Sequence, residues 1–124
     1  MSNKRNSNIK NSANDLYDIY TTEKQLYEYK MGIKLSEGVN DIATYEDCFW
    51  LIDLIYKDQP KLNSQPLIYE LEKVEENNFT LKCFYENGVV VSEQNNLKVS
   101  FYFEYLQIVR KGKILCLPIE NSLY

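Results

Sequence analysis

Any chemistry in this chain has to come from carboxylates, tyrosines and thiols, because its 124 residues include no histidine. That absence excludes Ser-His-Asp and Cys-His nucleophilic sites, an imidazole general base and nearly every catalytic zinc site. Two carboxylate pairs lie close in sequence, Glu70 with Glu72 and Glu75 with Glu76. Paired carboxylates perform acid–base work when an apolar pocket raises the pKa of one of them. Glu70 and Glu72 have the spacing of one strand face, and Glu75-Glu76 reads as a polar turn, so solvated carboxylates are the favoured reading. Asp47 and Asp53 fall on different faces of a helix and form no dyad. Asp53 with Lys57 at i+4 adds only about 0.3 kcal/mol. No acidic run has calcium-loop spacing, and the 4 glycines form no phosphate-binding loop. The expectation is a protein that is not an enzyme, with no catalytic residue, no metal and no cofactor.

The 3 cysteines, Cys48, Cys83 and Cys116, are far apart, and each sits in an apolar run. Without a Cys-x-x-Cys pair they read as reduced, buried thiols in a cytoplasmic protein. The alternative is one disulfide or a reactive thiol, which requires exposure and a low pKa. The net charge of −4 and pI near 4.9 disfavour a general binder of nucleic-acid phosphates. Tyrosines together with Lys82, Lys98, Arg110, Lys111 and Lys113 offer an aromatic-basic face for single strands, but the acidic body opposes it. Trp50 borders a polar stripe and is either core or a partner anchor, since Trp is enriched in binding hot spots. Core packing is the default.

These side chains need elements to position them. The first fourteen residues hold Lys4, Arg5 and Lys10, no acid and much Asn and Ser, a composition expected of a disordered basic tail. Residues 15–124 then form a single α+β domain. Asp15 to Lys30 is helix or turn material, with Thr22 as a candidate cap. Met31 to Leu35 alternates like a short strand, and Ser36 caps a helical turn from Glu37 to Ala43. From Thr44 to Lys57 the residues Tyr45, Cys48, Phe49, Ile52, Ile55 and Tyr56 recur at helical spacing. Thr44 and Asp47 approximate a capping box, and only Glu46, Asp53 and Lys57 make a clean polar stripe. This helix is expected to be largely buried under a sheet, with Gln59-Pro60 ending it. Strand patterns follow at Leu67–Val74, Phe79–Tyr85, Val89–Val91, Leu97–Phe103, Tyr105–Arg110 and Lys113–Leu117. Asn87-Gly88 and Lys111-Gly112 mark hairpins, and Pro118 stops the last strand. Helices followed by about six sequential strands predict an α+β fold with a mainly antiparallel sheet.

In this order the residues resemble a small uncharacterised bacterial domain family also found on phages and plasmids. The resemblance is carried by Thr22-Glu23-Lys24-Gln25, by Ser36-Glu37-Gly38-Val39 where the family has Thr-Asp-Gly-Val, by Phe49-Trp50-Leu51-Ile52-Asp53 where it has Tyr-Trp-Leu-Leu-Asp, and by Leu117-Pro118-Ile119-Glu120 where it has Leu-Pro-Ser-Glu. It covers residues 16–120, and the Trp-containing helix is its most specific part. Ser36-Glu37 and Ile119 depart from the pattern. The resemblance implies no activity, only a setting on mobile elements.

The functional expectation is therefore a non-enzymatic protein-interaction module, in its most concrete form an accessory or counter-defence protein with an acidic binding face. Candidate partner contacts are Glu46, Trp50, Asp53, Glu70, Glu72, Glu75 and Glu76. A protein partner is expected, nucleic acid and membrane are not, and no stretch is apolar enough to span a bilayer. The alternatives are a single-strand binder or a small carboxylate/tyrosine enzyme.

Overall fold

Apolar residues at every second position build the middle of the sheet. The computed structural model describes residues 12–57 and 65–124. Strand β3 (Leu67–Glu75) buries Leu67, Tyr69 and Leu71 on one face. In the antiparallel register these lie beside Tyr85, Cys83 and Leu81 of β4 (Asn78–Tyr85) and beside Arg110, Ile108 and Leu106 of β6 (Tyr105–Lys111). With β1 (Tyr27–Glu28), β2 (Lys34–Leu35), β5 (Val90–Leu97) and β7 (Ile114–Cys116), the described residues form one seven-stranded sheet of order β1-β2-β7-β6-β3-β4-β5. It is mainly antiparallel, as the sequence predicts, but mixed, because β2 runs parallel to β7.

The expected turns form where the chain tolerates positive φ. Gly88 (φ 93) closes the β4–β5 hairpin and Gly112 (φ 63) the β6–β7 hairpin. The expected strand at Leu97–Phe103 does not form. Left-handed Asn96 (φ 60) bends the chain at the end of β5, and no strand covers residues 98–104. Its alternation serves another purpose, because Phe101 and Phe103 are buried against the end of the core.

Helices α2 (Glu37–Tyr45) and α3 (Phe49–Lys57) cover one sheet face through Val39, Ile42, Ala43, Leu51, Ile52 and Ile55. Ser36 caps α2 as predicted, its Oγ accepting from Val39 N at 3.1 Å. The predicted helix from Thr44 to Lys57 is corrected. Asp47 adopts φ 53, and Cys48 N–H donates to Ala43 O at 3.0 Å, a Schellman ending that stops α2 before α3 begins. Thr44 and Asp47 thus belong to a C-terminal cap rather than a capping box, and Tyr45 is exposed instead of buried. The buried face of α3 is nonetheless the one read from the sequence, which Leu51 and Leu54 extend sideways: Leu51, Ile52 and Ile55 are buried, and Phe49, Leu54 and Tyr56 are partly buried. Buried Arg110 reaches the far end of α3, where Nη1 donates to Ile55 O at 3.1 Å and Nε to Gly112 O at 3.1 Å. A cation there complements the carbonyl end of the helix dipole.

Only Ala13–Leu16 (α1) of the N-terminal segment is α-helical, and the chain then runs irregularly to β1. Its tyrosines fasten it to the helical layer: Tyr17 OH donates to Glu46 at 2.7 Å, Tyr20 OH to Asp41 at 2.7 Å and Tyr29 OH to Asp53 at 2.8 Å. The end of the expected tail is also part of the fold. Ser12 and Ala13 are buried, Ser12 bridges Tyr105, and the Asn14 amide bonds both the N–H and the C=O of Gln107, at 2.7 and 3.0 Å. Asn14 thus stands in for a strand where β6 outruns β7, and residues 12–14 pack on the sheet. The rest of the tail, residues 1–11, and the expected helix end at Gln59-Pro60 lie outside the described residues.

Candidate functional site

Three chain reversals meet at one end of the molecule and enclose a cleft of about 480 Å³. The first is the Schellman turn between α2 and α3, which presents Glu46 and Asp47. The second is the β3–β4 turn, where left-handed Asn77 (φ 57) presents Glu76 beside Lys73. The third is the segment before β6. Its Phe101 is anchored edge-on to Trp50 at 6.3 Å and to Phe79 at 6.0 Å. Burial of Phe101 and Phe103 leaves the ring between them, Tyr102, 74% exposed, in a T-shaped contact with Phe103 at 5.0 Å between ring centres. Lys73 N–H donates to Glu104 O at 2.9 Å and ties β3 to this segment.

The lining is acidic. Glu46, Asp47 and Glu76 face a single base, Lys73, whose Nζ already sits 3.1 Å from Glu76. Tyr17 holds one oxygen of Glu46, Oε2. Burial, followed by the hydrogen bond to Glu46 and its charge, pushes the Tyr17 phenol pKa well up, so Tyr17 remains a donor across the neutral range. Tyr45, adjacent to Glu46 in sequence, is 71% exposed. Among the described residues no group of three or more Cys, Asp or Glu side chains is placed to hold a metal ion.

Of the candidate contacts read from the sequence, Glu46 and Glu76 line the cleft, and Trp50 stands behind it, partly buried against Phe101. Glu75 is exposed at the end of β3. The other three lie elsewhere. Asp53 accepts from Tyr29 and from Lys30 Nζ at 3.1 Å. Its burial would raise its pKa, but the hydrogen bonds from Tyr29 and Lys30 and the charges of Lys30 and Lys57 outweigh that and hold it below the usual carboxylate range. Glu70 and Glu72 point to the sheet face opposite the helices. There Glu70 accepts from Tyr105 OH and, at 3.3 Å, from Gln107, and Lys82 lies in register between Glu70 and Glu93. The acids therefore do not share one face. On the sheet Lys82 is interleaved between Glu70 and Glu93, while Glu46, Asp47 and Glu76 are gathered at the cleft.

Of the bases read as an aromatic-basic strand face, Arg110 is buried, Lys111 Nζ donates to Asn121 O, and Lys82 lies in register between Glu70 and Glu93. Tyr105 OH and Glu70 form a carboxylate–tyrosine pair on the sheet. Burial and the adjacent carboxylate push the Tyr105 pKa up, the opposite of what a phenolate base requires.

Sequence reasoning missed Asp47, Lys73 and Tyr102. A signal existed for Tyr102: inward Phe101 and Phe103 imply an outward residue between them. None existed for Asp47 or Lys73, because the cleft joins segments distant in sequence.

Two of the four segments that carry the family resemblance meet in space. Ser36-Glu37-Gly38-Val39 and Leu117-Pro118-Ile119-Glu120 touch through Glu120, which accepts from Ser36, Gly38 and Leu117. A family model described as "Family of unknown function (DUF6876)" matches residues 10–121. No curated protein and no solved structure matches the chain.

Proposed function

The chain belongs to that family of unknown function, and we propose that it is a non-enzymatic interaction module that docks a protein partner at the cleft between Glu46, Glu76 and Tyr102. One observation carries this reading. A large aromatic ring between two buried neighbours is held 74% exposed in the lining of a cleft that also carries three carboxylates. Exposed aromatic rings beside a polar rim are the usual anchors of protein interfaces. Trp50 acts as the support of that anchor through Phe101, not as the anchor itself. We also assign the protein to the cytoplasm, a reading supported by the burial of all three cysteines. Among the described residues no helix is long and apolar enough to cross a membrane. A role as an accessory or counter-defence protein of a mobile element rests on the sequence resemblance alone.

The test is site-specific photo-crosslinking in the cell of origin, with the crosslinking side chain at position 102 and, as control, at Glu28 on the opposite sheet edge. The reading expects one protein to be captured from position 102 and not from position 28, and to be lost when Asp47 and Glu76 are both reversed to Lys. Equal capture from both positions, or none from position 102, counts against it.

A further inference from the structure

Between α1 and β1 the chain runs alongside α2 as a strap, and we infer that this strap, residues 17–26, opens as a unit while the sheet stays folded. Its contacts form a row along the helix in antiparallel order: Tyr17 OH donates to Glu46 at 2.7 Å, Tyr20 OH donates to Asp41 at 2.7 Å, and Lys24 Nζ lies 3.8 Å from Glu37. These three acids span α2 from its first residue to its C-cap. The row is polar and thin. Of residues 18–25 only Tyr20 is buried, and the Lys24–Glu37 pair is too exposed to hold much. Residues 18–26 belong to no helix or strand, and Lys24 N–H and C=O meet the Tyr124 hydroxyl in an exposed contact, at 3.3 and 3.2 Å. Both ends are fixed independently, by Asn14 on the backbone of Gln107 and by Tyr27 in register with Leu35. A segment with few buried contacts between fixed ends opens locally, because freeing it returns backbone entropy at little cost in buried surface. Glu46 belongs to both the strap contacts and the cleft, so each opening releases a carboxylate of the cleft lining from its Tyr17 donor. The strap is a latch on that residue whatever docks there.

Trypsin cleaves after lysine, and Lys24 lies in the strap while Lys82 lies in β4. The experiment follows the initial rates of tryptic cleavage of the full chain at these two residues, by fragment mass, from zero urea to the unfolding transition. Lys24 should be cut while Lys82 is intact. Its rate should rise only weakly with urea, because opening the strap exposes little surface, whereas cleavage at Lys82 should follow the steep dependence of global unfolding. Tyr20→Phe keeps the buried ring and removes the hydroxyl, and it should speed cleavage at Lys24 about tenfold, as should Tyr17→Phe. Ile108→Val, a small loss in the sheet core, should speed cleavage at Lys82 and leave Lys24 unchanged, since the sheet stays folded in the open form. The same urea dependence at both lysines, or equal acceleration of both by Ile108→Val, overturns the inference, because the strap would then open only with the whole domain. Cleavage at Lys82 ahead of Lys24 does the same. Unchanged cleavage at Lys24 in Tyr17→Phe and Tyr20→Phe also overturns it, because the protease would then be cutting a strap that these bonds do not hold.

Discussion

Glu120 Oε2 accepts the backbone N–H of Gly38 at 3.0 Å, across 82 residues of sequence. Its other oxygen, Oε1, accepts from Ser36 Oγ and from Leu117 N at 2.9 Å. A carboxylate that is only 1% exposed thus fills the N-terminus of α2, where free N–H groups and the helix dipole favour negative charge. The 3₁₀ turn Pro118–Leu123 exists to bring it there. The helix layer that carries Glu46 and Asp47 is therefore secured from both ends, by Glu120 at the start of α2 and by Arg110 at the end of α3.

Gly38→Ala should destabilise the protein despite the helix propensity of Ala. A Cβ at residue 38 would lie 2.6 Å from Leu117 Cδ1 and 2.8 Å from Glu120 Oε1. The usual gain of about 1 kcal/mol in a helix interior is opposed by an overpacking cost of about 1–3 kcal/mol. The expected net loss is of order 1 kcal/mol, read from urea unfolding. A more stable variant would show that residues 117–120 can move aside.

Glu120→Ala should cost about 2–4 kcal/mol, because it strips the acceptor from three buried donors at once. Glu120→Gln keeps a carbonyl acceptor and should lose less. Equal losses in the two variants would mean that side-chain volume, not the hydrogen bonds, matters at this position.

Asn14→Ala should cost about 1–2 kcal/mol, since its amide bonds both backbone groups of Gln107. Deleting residues 1–14 should lower the melting temperature at least as much, because the buried Ala13 goes too. A deletion variant that melts with the wild type would show that the edge of β6 is satisfied by water.

Asp53 should support stability at neutral pH and not in acid. Its folded pKa lies below the ordinary carboxylate value, so its contribution is complete above the unfolded value and is lost as pH falls through the folded one. The stability difference between wild type and Asp53→Asn should therefore be constant from about pH 5 to 8 and shrink below about pH 4. Because the pair with Lys30 is partly solvated, added salt should reduce the difference. A gap that widens in acid would reverse the assignment.

Cys48 and Cys116 should resist alkylation in the native protein. Burial pushes the Cys48 thiol up to about 12 and the Cys116 thiol to about 11, aided in each case by nearby carboxylates. At neutral pH neither supplies appreciable thiolate. Labelling at the rate of a free thiol before denaturation would contradict this.

What the sequence determined by itself are features that depend on a few neighbouring residues. Asn87-Gly88 and Lys111-Gly112 close hairpins because glycine accepts positive φ. Ser36 caps α2 because its hydroxyl reaches an N–H three residues on. Alternation at Leu67–Leu71 and Phe79–Cys83 selects the buried sheet face, and the α3 pattern selects the face that meets it. Tertiary structure decided features that require a partner from far away. Strand β1 has two residues, too few to show a pattern, and the alternation at Met31–Leu35 yields a strand only at Lys34–Leu35, which gains its place from β7. Asp47 reads equally well as the end of a capping box or as a left-handed stop until Cys48 finds Ala43 O. Leu97–Phe103 alternates like a strand, yet Phe101 packs against Trp50 and Phe79 and Phe103 against Tyr17. The acids appear in sequence as a uniform surplus, and only the sheet register sets Lys82 between Glu70 and Glu93 while three separate turns bring Glu46, Asp47 and Glu76 together. A charge pattern along the chain specifies composition, whereas a site requires distances, and the distances come from packing.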